Sequence, residues 1–95
     1  MLNALSDPCA EIRAEAVTLL GKFDDAKIAG PLLIPRLSDS DSWVRKNSAL
    51  SLMKLRDTTS PNALQNRAKS EDDEVVLSVL KLAINQLTSA DARGS

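Results

Sequence analysis

Histidine is absent from the 95 residues and cysteine occurs once, at Cys9. Any chemistry of this chain must therefore come from carboxylates, lysine, arginine and hydroxyls. The missing imidazole removes the commonest general base and the commonest metal ligand together. A lone cysteine forms no disulfide within the chain. Carboxylates concentrate in one place, Glu71-Asp72-Asp73-Glu74. Four consecutive residues at a helix start point in different directions around the axis, so they read as a solvated first turn that favours the helix dipole, not as a cation site. Gly21, Gly30 and Gly94 are scattered, which leaves no loop to cradle a phosphate. The expectation is a non-catalytic protein with no cofactor and no metal.

Net charge is −1, and a near-neutral balance argues against a dedicated nucleic-acid binder. The charge is unevenly spread. Residues 1–35 hold three cations against five carboxylates, residues 36–69 hold seven against three, and residues 70–95 hold two against five. The basic middle leaves nucleic-acid contact as a minor alternative. No apolar run approaches the roughly 20 residues of a membrane span, and the N-terminal residues lack the basic and apolar regions of a secretory signal. A soluble chain of the cytoplasm or another intracellular compartment is expected.

The elements that would position these residues follow from an internal repeat. Leu5-Ser6-Asp7, Ile12-Arg13 and Ala16 recur 32 positions later as Leu37-Ser38-Asp39, Val44-Arg45 and Ser48. A weaker third copy runs through Val76, Leu80, Ile84 and Leu87. Asp7-Pro8, Ser60-Pro61 and Ser70 with Asp73 read as helix starts. Gly21, Asp24-Asp25 and Asp57-Thr58-Thr59 read as stops or turns. Long helices are predicted near 8–22, 42–55 and 71–88, each preceded by a shorter one near 2–5, 26–37 and 61–69. Pro31 and Pro35 should bend the middle short helix.

These residues resemble HEAT repeats, in particular the short subtype shared with the phycobilin lyases. The carriers are Leu33, Leu37, Asp39, Asp41, Val44 and Arg45 in the best copy, with Leu5, Asp7, Ile12 and Arg13 in the first. The third copy departs from the pattern at Leu77, where the arginine should stand, and at Lys69. The resemblance implies an all-α solenoid of about three helical hairpins, the first one truncated, over residues 1–89. Repeats would lie near 1–23, 26–56 and 60–88, with a flexible tail over 90–95, and the chain would be a candidate fragment of a longer solenoid. It also implies that Arg13, Asp39, Asp41 and Arg45 make polar contacts that fasten the turns. Such repeats serve scaffolds, adaptors and some enzymes alike. The main reading is a protein-protein interaction or scaffold module, and the alternative is a phycobilin lyase-like or phycobilisome-associated protein.

A helical wheel separates the packing stripe Val44, Ser48, Leu52 and Leu55 from an outward set. Trp43, Lys46, Leu50, Met53, Lys54 and, on the third long helix, Leu82 would line a concave, apolar and basic groove for another protein or peptide. Trp43 and Met53 are the natural anchors. The helix over 71–88 is apolar around more of its circumference than one buried stripe requires. Self-association or further repeats covering it are therefore expected.

Overall fold

In a computed structural model, residues 3–23, 25–56 and 60–94 are described, with side chains over 4–23, 25–56 and 60–88. The expected turns at Asp24 and Asp57-Thr58-Thr59 and the end of the tail at Ser95 lie outside the described residues. The described residues are helices and turns. A 3₁₀ turn, Asn3–Ser6, precedes α1 (Ala10–Leu20), and α2 (Ala26–Leu33) runs into a 3₁₀ segment, Ile34–Ser38. Then come α3 (Ser42–Leu55), α4 (Pro61–Ser70) and α5 (Glu74–Gly94). The helical backbone thus continues into the segment expected as a tail, where Ala90, Ala92 and Arg93 are good helix formers.

The long helices α1, α3 and α5 form one layer, α3 packing against both neighbours. The shorter elements form the other, with α4 on α5 and the 3₁₀ segment on α3. Principal extents of 42 × 30 × 15 Å describe a thin slab, as expected of two layers of helices whose axes lie about 8–10 Å apart. The core runs as a sheet of aliphatic side chains between the layers. Leu20, Leu33, Leu37, Val44, Leu52, Leu64, Val76 and Leu80 are fully or almost fully buried in it.

Local chemistry sets the element ends. Asp41 caps α3 by accepting from the N–H groups of Trp43 at 2.8 Å and Val44 at 3.2 Å, which satisfies two of the helix's orphan donors. The other end of α3 stops at Arg56, whose left-handed backbone (φ 55°, ψ 44°) turns its N–H back onto the carbonyls of Leu52 and Met53. The middle short helix changes from α-helix to 3₁₀ at its prolines. Pro31 lies inside α2 and Pro35 sits at the start of the 3₁₀ segment, each removing a backbone donor. Two start signals work differently from the sequence reading. Asp7 accepts from Cys9 N–H at 2.8 Å before α1 begins at Ala10, because the proline that follows it holds a tight turn ahead of the helix. Asp73, not Ser70, caps α5 by accepting from Val76 N–H at 3.0 Å, while the Ser70 hydroxyl turns back to the Arg67 carbonyl.

The layer of long helices closes tightly at one point. The Ser51 hydroxyl donates to the Val17 carbonyl at 2.7 Å across the α1–α3 contact. A Cβ at Gly21 would come within 2.7 Å of the Ser51 Cβ and 3.0 Å of its Cα. Gly21 is therefore a spacing residue and has ordinary right-handed backbone. Gly21→Ala should lower stability by about 1–3 kcal/mol through overpacking, read as a lower urea midpoint at unchanged slope.

Candidate functional site: inter-repeat clasps and a concave groove

The arginines and acids singled out by the repeat lie at the seams between hairpins. Arg13 on α1 donates from Nε and Nη2 to the two Asp39 carboxylate oxygens, both at 3.0 Å. Its Nη1 donates to the backbone carbonyl of Asp7 at 2.7 Å. Arg45 on α3 repeats the arrangement one hairpin later. Its Nε and Nη2 donate to the two Glu71 oxygens, both at 2.9 Å, and its Nη1 to the carbonyl of Asp39 at 2.8 Å. Fork-to-fork pairing of this kind fixes orientation as well as distance.

Glu71 was expected in a solvated acidic turn, and for this residue that expectation is corrected. Its side chain is fully buried and receives, besides Arg45, the Arg67 Nε–H at 3.1 Å and the Asp73 N–H at 3.1 Å. The register shows why: Glu71 stands 32 residues after Asp39, so it is the turn acid of the third copy, lengthened by one methylene. Asp72 and Glu74 stay exposed.

These clasps take up three of the seven cations of the basic middle. Arg45 and Arg67 are spent on Glu71, and Arg36 donates to the Leu5 carbonyl at 2.8 Å with Asp39 at 3.9 Å. A surface for a polyanion is left with less charge than the sequence count suggests.

On the face of the long helices, α1 and α3 frame an open groove of about 510 Å³. Glu11, Ala14, Glu15, Thr18 and Leu19 line it from α1, and Trp43 and Asn47 from α3. Trp43 is 57% exposed, and the Lys46 ammonium stands 5.9 Å from the centroid of its ring, within reach of a cation–π attraction. Of the predicted binding set, the structure thus brings together Trp43 and Lys46. Leu50 is half-buried and Met53 packs against the core. Lys54 and Leu82 are exposed outside the groove. The sequence reading missed the α1 wall. The signal was available in the repeat, since Glu11 and Glu15 are the register mates of Trp43 and Asn47 at the same offset of 32. Among the described residues, no group of three or more Cys, Asp or Glu side chains gathers to hold a metal ion, and no helix is long and apolar enough to cross a membrane.

The family model of HEAT repeats matches residues 1–85. The chain belongs to the HEAT-repeat family. It is 42% identical over 87 residues to the "Bilin biosynthesis protein MpeU" of Synechococcus sp. (strain WH8020). The match covers 92% of this chain and 29% of that protein, so the chain spans under a third of the length of this relative. The relative overturns the expectation of a non-catalytic protein. That expectation rested on the absence of imidazole, which was too narrow a premise: carboxylates also transfer protons, and two of them, Glu11 and Glu15, stand in the groove.

The clasps carry a pH signature. Burial pushes the Asp39 carboxyl up, but hydrogen bonds from Arg13 and from the Asp41 N–H, with the charges of Arg13 and Arg36, outweigh it and hold it below its ordinary value. Glu71 behaves alike, burial being outweighed by Arg45, the Asp73 N–H and Arg67. A carboxyl depressed in the folded state contributes stability that is fully present above its unfolded pKa and is lost as pH falls through the folded one. Unfolding free energy should therefore hold steady above about pH 5 and fall progressively below about pH 4. Asp39→Asn should be less stable at pH 7 and show a flatter acid limb in denaturant titrations across pH.

Proposed function

We propose that this chain is a HEAT-repeat part of a bilin-handling protein, similar to the phycobilin lyases, whose concave groove holds an open-chain tetrapyrrole. The observation that carries the reading is the groove itself, in a chain 42% identical to a protein named for bilin biosynthesis. Its volume of about 510 Å³ falls within the range of about 300–1,000 Å³ typical of small-molecule sites. Its lining suits the ligand's parts. An exposed indole offers a flat face for a conjugated chain. Carboxylates at Glu11 and Glu15 can accept from pyrrole N–H groups in charge-assisted bonds. Lys46, beside the indole, can pair with a propionate at the rim. Glu11 and Glu15 are also the groups able to give or take a proton on a bound tetrapyrrole.

The exposed apolar residues of the third hairpin favour a role for a protein partner on the same face. Val75 is the register mate of Trp43, and both it and Leu82 on α5 are exposed. With Lys54, they extend the groove toward a surface on which an acceptor protein would rest while the tetrapyrrole is presented to it. This keeps the interaction-module reading for α5 and assigns the small-molecule site to α1 and α3.

Because Trp43 is the sole tryptophan, its fluorescence reports on the groove directly. Titration with biliverdin should quench it saturably and shift the pigment's absorbance. Leu19→Ala and Glu15→Gln, which leave the reporter in place, should each weaken binding severalfold, and Trp43→Phe should keep the absorbance shift with reduced affinity. Unsaturable quenching, or affinity indifferent to both α1 substitutions, would remove the groove as the site.

A further inference from the structure

The two seams are alike on the side of the long helices and differ on the side of the short ones. At the first seam, Asp39 pairs with Arg13 of α1 and stands 3.9 Å from Arg36 of the 3₁₀ segment. Arg36 Nη1 also donates to the Leu5 carbonyl at 2.8 Å and so ties this segment to the preceding hairpin. At the second seam, Glu71 pairs with Arg45 and takes Arg67 of α4 through Nε alone, at 3.1 Å. The two terminal nitrogens of Arg67 make no hydrogen bond among the described residues. Leu37 is the register mate of Leu5, and its carbonyl receives no such donor. Register explains the difference. Arg36 stands three residues before its acid and Arg67 four, a step that turns a side chain by about 100° around a helix.

Where that tie is missing, an open groove of about 340 Å³ lies between the 3₁₀ segment and α4. A 3₁₀ coil is thinner than the α-helix beside it, which adds to the space. Ile34, Pro35, Leu37 and Ala63 give the groove apolar walls, and Ser38 and Arg67 give it polar ones. The Ser38 hydroxyl makes no hydrogen bond among the described residues. None of the described carboxylates lines the groove, and Asp72 and Asp73 act on Arg45 instead. Glu71 is one carboxylate against two guanidiniums, so the cluster behind the groove carries a surplus positive charge. Arg67 is the more exposed of the two arginines, at 20% against 11%, and brings that surplus to the surface.

We propose that this groove binds a monocarboxylate with a short aliphatic tail. The terminal nitrogens of Arg67 can take the two carboxylate oxygens as a fork, the Ser38 hydroxyl can donate to one of them, and the tail lies along the apolar walls. The volume is at the lower end of the range of about 300–1,000 Å³ typical of small-molecule sites, which suits a ligand of few carbons. A phosphate dianion would call for more donors than one guanidinium and one hydroxyl and would gain nothing from the aliphatic walls. The groove lies on the layer of short elements, between two hairpins of this chain, and does not depend on the tetrapyrrole reading of the α1–α3 groove.

The test is an NMR titration of the ¹⁵N-labelled chain with hexanoate, with acetate, hexanol and inorganic phosphate as comparisons. Hexanoate should shift the Ser38 amide and the Arg67 Nε–H saturably and leave the Trp43 indole N–H in place. It should bind about tenfold or more tightly than acetate, which lacks the tail, and than hexanol, which lacks the charge. Ala63→Leu fills the apolar wall without touching the clasp and should weaken binding about tenfold. Arg67→Lys keeps the charge but not the fork and should weaken it severalfold. Circular dichroism checks the fold of each variant, and Ser38→Ala, on the exposed rim, stands in for one that does not fold. No saturable shift at hexanoate on the order of tens of millimolar, hexanol or phosphate binding as well as hexanoate, or an affinity indifferent to the folded variants would overturn the proposal. Shifts confined to the Trp43 groove would overturn it too.

Discussion

Two charges that can be buried only together hold this small stack in register. A helical hairpin of about 30 residues cannot enclose a core alone, and the aliphatic layer between its helices would tolerate sliding, because hydrophobic contact is not directional. The bidentate pairing of Arg13 with Asp39 and of Arg45 with Glu71 supplies the missing direction. Each guanidinium also binds the carbonyl at the turn of its own hairpin, so one side chain ties its own turn to the next. Removing one partner leaves the other buried and uncompensated, which is far more costly than the net worth of the pair. The seam therefore has one good register.

The groove follows from that register. Its walls belong to different hairpins, α1 carrying Glu11, Glu15 and Leu19 and α3 carrying Trp43 and Asn47. A shift of one turn along the seam would move Trp43 by about 5 Å relative to the carboxylates and dissolve the arrangement. Close packing at Gly21 and the buried Ser51 bond to the Val17 carbonyl fix the spacing at the far end of the same two helices. The shape of the groove and the stability of the stack thus depend on the same seam residues.

Much of this was legible in the sequence. The 32-residue recurrence, the aliphatic spacing and the prolines determined helix order and the change from α2 to the 3₁₀ segment, because these signals are local. Arg45 and Asp39 were legible as seam residues through the resemblance. Glu71 was not, because it lies in an acidic run that also has a simple solvated reading, and burial is a tertiary property that composition does not carry. Arg67, on the short helix that precedes it, was missed for the same reason. The α1 wall was missed for a different one. Carrying Trp43 back by one repeat leads to Glu11, a charged residue that does not look like part of an apolar groove. The absence of histidine, read as the absence of catalysis, misled because it excludes one kind of proton-transfer group and leaves the carboxylates.

The claim on which the rest stands is that the seam pairs couple strongly. A double-mutant cycle of Arg45→Ala and Glu71→Gln, measured by urea denaturation at pH 7, tests it most directly. The account predicts a coupling of about 2 kcal/mol or more between the two substitutions, with each single variant as destabilised as the double one or nearly so. Additive effects within about 0.5 kcal/mol, the behaviour of independent sites, would contradict it and leave aliphatic packing alone to set the register of the stack.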